Sequence, residues 1–226
     1  MVFFRNTIIS VFLLCAFNGL VAQPRVTPQQ PDENKKAFEG SIKCVQQTMI
    51  DTLYYTYHVK GQKVRVDEHG KNNEVENSLL FDLDEKTIHA ISPKRKLFMS
   101  IAVKPYVESD NDEYEIIKSK NNKVINGYNC YQWRVKNKKL NTEIAYWVAY
   151  DNFSFFEDFL KLWNRTENSA IFFLKIPDVM GFFPMLQVER TLLREERTRQ
   201  SVVDVEKKQL NDNLFEIPKD FKSFDR

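Results

Sequence analysis

The chain of 226 residues has little glycine, cysteine or histidine, with 6, 3 and 3 of each. It contains no Gly-rich phosphate loop, no Cys-x-x-Cys pair, no Gly-x-Ser-x-Gly elbow and no His-Glu-x-x-His zinc motif. The histidines, His58, His69 and His89, follow no metal-ligand spacing, and we interpret each as a surface residue. These absences favour a protein that is not an enzyme and that uses neither a metal nor another cofactor.

No charge of one sign dominates the chain. It has 33 Lys and Arg against 31 Asp and Glu, a net charge of +2, whereas a nucleic-acid-binding surface needs a broad basic field. We therefore expect no nucleic-acid partner. The acidic residues Asp82, Asp84 and Glu85 lack the spacing of a calcium loop, and they predict a solvated turn.

The N-terminal segment has the layout of a secretory signal peptide. One cation, Arg5, precedes an uncharged apolar run from Thr7 to Phe17, and smaller residues end at Ala22. The run is shorter than the about 20 residues that span a bilayer. We predict cleavage near Ala22, no membrane span, and a periplasmic or secreted mature protein. Residues 23–37 predict a flexible leader, and residues 38–226 a single domain.

Two cysteines, Cys44 and Cys130, follow the predicted cleavage site and lie in strand-like segments. Disulfides persist outside the cytoplasm, and a bridge that closes such a long loop stabilises a protein by about 4 kcal/mol in the chain-entropy account. The alternative is two small buried thiols that never meet. The sequence favours neither of these alternatives.

The stretch YYTYHVKGQKVRV, at residues 54–66, predicts a β-hairpin. A two-residue Gly61-Gln62 loop pairs Lys60 with Lys63 and Val59 with Val64. This register separates the side chains by character. The apolar face consists of Leu53, Tyr55, Tyr57, Val59, Val64 and Val66, and the polar face consists of Thr56, His58, Lys60, Lys63, Arg65 and Asp67.

Turn signals between alternating runs from Phe38 to Ile101 predict an antiparallel meander. Later, the strand EIAYWVAYD at residues 143–151 is apolar on both faces, so another element must cover it. A helix from Phe153 to Trp163, capped by Asp151 or Asn152, has aromatic residues on one half and is predicted to supply that cover.

A shorter apolar run at residues 170–176 follows the predicted helix, and strands are predicted at Met185–Leu193 and Ser201–Lys208. The fold class is therefore α+β and mainly β. We expect a large antiparallel sheet with one or two helices inserted late in the chain.

Several segments together resemble a known family: FEGSIKCVQQ, YHVKGQKVRVD, INGYNCYQWRV, GFFPMLQVER and LFEIPKDFK. They are similar to the secreted family called domain of unknown function 4412, in the LolA-like superfamily of periplasmic lipoprotein carriers. The resemblance covers residues 38–221. It implies an incomplete barrel: a large curved antiparallel sheet around an apolar concave face that is lidded by helices. In the carriers this face receives acyl chains.

The concave face and its lid form the predicted site for an apolar ligand, which is a lipid or the acyl chain of a lipoprotein. Phe182 and Phe183, between Gly181 and Pro184, are predicted in a connection, either as a rim, lid or partner contact or tucked beneath the helix. The predicted site comprises Tyr55, Tyr57, Val64, Val66, Tyr131, Trp133, Phe156, Phe159, Trp163, Phe182 and Phe183.

The alternative is a structural or interaction module of the cell envelope. In that module the protein's own helices fill the concave face, and envelope protein partners bind at an exposed edge strand. A cavity beneath the helix discriminates between the two hypotheses.

Overall fold

The computed structural model describes residues 36–108 and 113–224. The predicted signal peptide and most of the predicted leader lie outside the described residues. The strands are β1 (Gly40–Thr48), β2 (Thr52–Lys60), β3 (Lys63–His69), β4 (Val75–Asp82), β5 (Thr87–Ser92), β6 (Leu97–Ser100), β7 (Tyr114–Ile125), β8 (Tyr128–Asn137), β9 (Thr142–Tyr150), β10 (Phe182–Arg190), β11 (Glu196–Lys207) and β12 (Lys222–Ser223). The helices are α1 (Phe155–Trp163) and α2 (Asn168–Leu174), with short 3-10 helices at Pro93–Arg95 and Asp212–Phe215.

All these strands belong to one open sheet with the order β12-β6-β5-β4-β3-β2-β1-β11-β10-β9-β8-β7. Strands β1 to β6 form the predicted meander, and neighbouring strands are antiparallel except for the parallel pair of β12 with β6. The mainly β fold with two late helices, inserted between β9 and β10, confirms the predicted fold class.

The sheet curls around the two helices. Phe81 on β4 contacts Phe159 on α1, with ring centroids 4.7 Å apart, and Tyr114 on β7 contacts Phe172 on α2 at 5.0 Å. In a flat sheet β4 and β7 lie about 38 Å apart. Two packed helices, each about 10 Å wide, reach both strands only if the sheet wraps around them.

The hairpin of β2 and β3 has the predicted register: Val59 pairs with Val64, and Lys60 with Lys63. Gly61 has a φ of +57°, a left-handed conformation that a residue without a Cβ adopts at low cost. Val59 and Val64 are fully buried on the concave side. The alternation of apolar and polar residues therefore predicted the pairing correctly.

Helix α1 begins two residues later than predicted, and Ser154 is its N-cap. The predicted caps have other roles. The Asp151 carboxylate accepts a hydrogen bond from the Tyr128 hydroxyl at 3.1 Å and pairs with Lys207, and Asn152 adopts a left-handed φ of 54°. Neither residue is therefore placed to cap the helix.

Strands β10 and β11 both begin earlier than predicted. Strand β10 starts at Phe182 rather than Met185, because Phe182 pairs with Tyr150 at the end of β9. Strand β11 starts at Glu196 rather than Ser201. Phe182 and Phe183 are consequently strand residues and do not lie in a connection.

Candidate functional site

Helix α1 lies against the concave face through its aromatic half. The Phe159 ring is 5.6 Å from the Tyr57 ring, and the Phe156 ring is 4.6 Å from that of Phe183. Glu157 and Lys161, on the opposite half, form an i,i+4 ion pair of 2.7 Å. The amphipathic pattern thus directs the phenylalanines of the helix into the sheet.

A cavity of about 220 Å³ remains between the helices and the concave face. It brings together six of the residues predicted for the site: Tyr55, Tyr57, Val66, Phe156, Phe159 and Trp163. Its other walls are Gln46, Leu79, Phe81, Leu160, Glu167, Ser169, Ala170, Phe173, Gln187 and Gln200. The helices therefore cover the concave face without filling it completely.

The other predicted site residues, Val64, Tyr131, Trp133, Phe182 and Phe183, do not line this cavity. All of them are buried in the core. The Phe182 ring packs 4.8 Å from the Trp133 ring, and Phe183 lies beneath α1. Both phenylalanines are thus buried and form no exposed rim or lid, and of the two only Phe183 has a ring contact with the helix.

One side of the cavity is polar. Gln46 on β1 is paired with Gln200 on β11, and Gln200 is paired with Gln187 on β10. The Gln187 side-chain amide donates a hydrogen bond to the Gln200 side chain. Sequence reasoning missed these residues, although Gln46 continues the concave-face alternation of Ile42 and Cys44. That alternation is the signal that identifies it.

The two cavity tyrosines are held in their neutral form. Burial raises the pKa of Tyr55 and of Tyr57 well above the usual value, and the nearby Cys44 and Glu167 add to the shift. Both phenols therefore keep their proton at neutral pH, and a hydrogen bond joins their two hydroxyl groups.

The apolar row of the concave face continues beyond the helices. Val66 pairs with Leu79, Leu79 with Ala90, and Ala90 with Met99. Leu79 lines both the cavity and an open groove of about 940 Å³ over β4 to β6. The cavity and the groove thus share Leu79 as a wall, and we call the two together the trough.

The opposite, convex face of the same hairpin carries a polar network. The Asp67 carboxylate lies 3.2 Å from His58 Nε2 and accepts hydrogen bonds of 2.6 Å from Arg65 Nε and from the Ser78 hydroxyl. Burial by itself raises the pKa of Asp67. The hydrogen bonds from His58 and Ser78 and the Arg65 charge outweigh burial and hold that pKa below its usual value.

The C-terminal segment covers this polar face. Arg65 donates to the Leu214 carbonyl oxygen at 3.0 Å, and Lys60 donates to the Leu210 carbonyl oxygen at 2.8 Å. Ser41 also contacts His58 Nδ1 at 2.9 Å. Although this places Ser, His and Asp in one chain of contacts, Ser41 is only 3% exposed, so its hydroxyl is closed to a substrate. We interpret the network as structural.

His58, His69 and His89 are all half-buried, which corrects the interpretation of each as a surface residue. His69 Nε2 lies 2.9 Å from the Thr56 hydroxyl. His89 lies 3.3 Å from the Ser100 hydroxyl. Within residues 36–108 and 113–224, no three His, Cys, Asp or Glu side chains cluster as metal ligands.

Cys44 and Cys130 are free, buried thiols, so the structure shows the unbridged alternative. Cys44 is on β1 and Cys130 is on β8, and three strands of the sheet lie between them. Burial raises the pKa of the Cys130 thiol to about 11, and burial raises the pKa of Cys44 further. Both thiols are therefore protonated and unreactive at neutral pH.

Solved structures with a related shape share little sequence with the chain. An uncharacterized conserved protein from Thermus thermophilus has a TM-score of 0.46 at 10% identity, covering 83% of this chain and 91% of that chain. PNGF-II has a TM-score of 0.43 at 12% identity, and the match covers 79% of this chain and 30% of that chain. A Vibrio parahaemolyticus domain, whose name refers to outer membrane lipoprotein sorting, has a TM-score of 0.32 at 9% identity, covering 80% and 91%. Likenesses at these scores say nothing about function.

The sequence itself decides the family. No curated protein matches the chain significantly. A separate finding is that none of the described helices is long and apolar enough to cross a membrane. Residues 38–221, from the buried Phe38 to Phe221 just before β12, match DUF4412, a domain of unknown function. The resemblance stated from the sequence motifs is thereby confirmed, and the chain belongs to the DUF4412 family.

Proposed function

We propose that the protein binds an apolar ligand, a lipid or the acyl chain of a lipoprotein, on the concave face of its sheet. The observation that carries this proposal is the cavity of about 220 Å³ beneath α1 and α2. Protein interiors are close-packed, and voids much larger than a water molecule are rare. A space of this size, walled by aromatic side chains and lying between a sheet and two short helices, suits an apolar guest.

The size of the trough supports a chain-like ligand. Pockets for small molecules typically have volumes of about 300 to 1,000 Å³, so the cavity alone holds only part of such a ligand. The groove of about 940 Å³ that begins at Leu79 extends the apolar surface toward Met99. An acyl chain is long and thin, so it fits a trough that is narrow under the helices and open beyond them.

The polar side of the cavity matches the head of an acylated ligand. The side-chain amides of Gln46, Gln187 and Gln200 are donors for an ester or amide carbonyl group. The Glu167 carboxylate at the same cavity disfavours a second negative charge there. We infer that the bound head is a neutral ester or amide rather than a free carboxylate.

Ligand entry requires movement of α1 more than of α2. The Tyr146 hydroxyl on β9 donates to the Ser169 carbonyl oxygen at 2.7 Å, and Asn168 donates to Glu189 at 2.9 Å, so hydrogen bonds fasten α2 to the sheet. Helix α1 faces the sheet with Phe156, Phe159 and other apolar side chains. Apolar contacts have no fixed direction and tolerate a shift of the helix.

The experiment places a large side chain in the cavity from helix α2 and leaves the residues of the sheet unchanged. Ala170 on α2 lines the cavity, whereas Ala102 is exposed outside it. With a fluorescent fatty-acid ester as the probe, we expect wild type and Ala102→Trp to bind alike and Ala170→Trp to bind at least about tenfold more weakly. No binding by wild type, or equal binding by all three folded proteins, contradicts the proposal.

The second candidate function is the structural or interaction module of the envelope. It is favoured by the extent to which the phenylalanines of α1 and α2 already fill the concave face. In that case Ala170→Trp raises thermal stability by filling a void, and neither wild type nor this variant binds the probe.

The sequence predicts a signal peptide, so we expect either function to act outside the cytoplasm. The intact mass of the purified chain is then expected to correspond to a start near Gln23.

A further inference from the structure

Three hairpin turns at one end of the sheet present apolar side chains to solvent. Met49 and Ile50 in the β1–β2 turn are 86% and 95% exposed, and Leu193 in the β10–β11 turn is 82% exposed. Leu140 in the β8–β9 turn is also exposed. Single exposed apolar residues need no explanation, but a group of them at one end of a molecule marks an interaction site.

The strand order places these turns side by side. Strands β2, β1, β11, β10, β9 and β8 are consecutive in the sheet, so successive turns lie about 10 Å apart along one end. Leu192 donates from its backbone to the Asn141 side chain at 3.3 Å, and Arg194 pairs with Glu143 at 3.7 Å. These contacts hold the second and third turns together. We call the three turns the apolar edge.

Several backbone N–H groups of the apolar edge have hydrogen-bond partners inside the turns. In each turn a Thr or Asn side chain accepts hydrogen bonds from backbone N–H groups that are otherwise unpaired. The bonds are Ile50 N and Asp51 N to Thr48 Oγ1 (3.3 and 3.0 Å), Glu195 N to Thr191 Oγ1 (3.1 Å) and Leu140 N to Asn137 Oδ1 (3.0 Å). Satisfied donors lower the free-energy cost of entering an apolar medium.

The polar side of the cavity lies near the same end of the sheet. Gln46 lies two residues before Thr48, the last residue of β1, and Gln187 lies three residues before Arg190, the last residue of β10. At about 3.4 Å per residue, these side chains are about 7 to 10 Å from the turns. A surface that contacts the apolar edge is therefore close to the cavity.

We propose that the apolar edge docks the protein on the surface of a lipid bilayer that contains anionic lipids. Separate projecting tips enter the boundary between headgroups and acyl chains individually, whereas a protein partner needs a matched pocket for each tip. Lys138 and Lys139 precede Leu140 in the β8–β9 turn, which contains no acidic residue. These cations are placed to bind headgroup phosphates while the leucines insert. The proposal extends the proposed function, because docking brings the cavity to a source of acyl chains.

The first test reads the orientation of the protein on the bilayer. Leu193→Cys carries an environment-sensitive fluorophore at the apolar edge. Met180→Cys carries it on a connection near the start of β10, at the other end of the sheet, where Met180 is 62% exposed. With vesicles of phosphatidylcholine and phosphatidylglycerol, we expect a blue shift and higher intensity at position 193 and no change at position 180. Equal responses at both positions, or none at 193, overturn the proposal.

The second test removes the apolar tips. The variant Met49→Ser, Ile50→Ser, Leu193→Ser is expected to bind the same vesicles at least about tenfold more weakly in flotation, while Met180→Ser binds like wild type. Binding of the fluorescent ester in solution should not change in the tip variant, so a failure of docking is distinguishable from a failure of ligand binding. Vesicle binding by the tip variant equal to wild type overturns the proposal, as does a wild-type dimer that the tip variant converts to monomer.

Discussion

The two faces of the β2–β3 hairpin are both covered, but by different kinds of contact. On the concave face, Tyr57 packs edge-on against Phe159 and Phe183 under the helices. On the convex face, Asp67 and Arg65 form directional hydrogen bonds beneath the C-terminal segment. Ring packing has loose directional requirements and leaves a cavity walled by aromatic side chains, whereas short hydrogen bonds join Asp67, Arg65 and Ser78 to one another. The cavity between the concave face and the helices is therefore the aromatic-walled space in which we propose that an apolar ligand binds.

The largest expected effect distinguishes two parts of the concave face, one that is fully packed and one that borders the cavity. Phe183 is fully buried among other rings, and Phe159 lines the cavity. We expect Phe183→Ala to lower the free energy of unfolding by about 4 kcal/mol and Phe159→Ala to lower it by only about 2 kcal/mol, because the contacts of Phe159 on the cavity side are incomplete. Urea unfolding monitored by circular dichroism measures both values. Equal decreases in the free energy of unfolding for the two variants show that Phe159 is packed as completely as Phe183, and they contradict the contrast between the two parts of the face.

The next effect tests the convex face. Asp67→Asn removes the charge that compensates Arg65 and should lower the free energy of unfolding at pH 7 by about 3 kcal/mol. The folded-state pKa of Asp67 is below its unfolded value, so its charge stabilises the protein above the unfolded pKa of about 3.9. This stabilisation is lost as the pH falls through the folded pKa.

Unfolding curves from pH 7 to acid therefore measure the difference between wild type and Asp67→Asn, which should shrink as the pH falls below about 4. Phe183→Ala is the control, since it removes no charge. A difference between wild type and Asp67→Asn that is constant with pH contradicts a stabilising ionised Asp67.

The smallest effect concerns the turn that joins the two strands of the hairpin. Gly61 has a left-handed backbone, and a Cβ added there meets no atom within 4 Å. Gly61→Val is thus expected to lower the free energy of unfolding by about 2 kcal/mol through backbone strain alone. Asn tolerates this conformation, so Gly61→Asn should have a smaller effect. Thermal unfolding compares the two variants, and an unchanged melting temperature for Gly61→Val argues against the strained turn.

Local patterns were sufficient to predict the hairpin, the meander and the amphipathic helix. Period-two alternation specifies register, because a slip by one residue places Val59 and Val64 on the wrong face. The polar face of the hairpin shows the limit of the same pattern. Alternation identified His58 and Asp67 as polar, but the cover over them comes from Leu210 and Leu214, about 150 residues later in sequence. Such long-range contacts leave no local trace.

The candidate site could be predicted only in part, because local patterns do not show how distant elements pack against one another. Tyr55, Tyr57 and Phe159 follow from face and helix patterns, but whether an inward aromatic side chain borders a void depends on how two elements dock. Phe182 and Phe183 were placed in a connection because Gly181 and Pro184 are typical of turns. Strand pairing with β9 overrides that local preference. The cavity glutamines were not predicted, because polar side chains are typical of the solvent face of a strand, whereas Gln46, Gln187 and Gln200 line the cavity on the concave face.

The measurement that tests the central claim most directly is native mass spectrometry of the protein extracted gently from the envelope of the cells that produce it. The account predicts a fraction of wild-type molecules with an additional mass that dissociates as an acylated lipid or lipoprotein fragment, and no such mass on Ala170→Trp prepared in the same way. Wild-type protein that is empty in every preparation, or an additional mass that persists unchanged on Ala170→Trp, contradicts the claim that the concave face binds an apolar ligand.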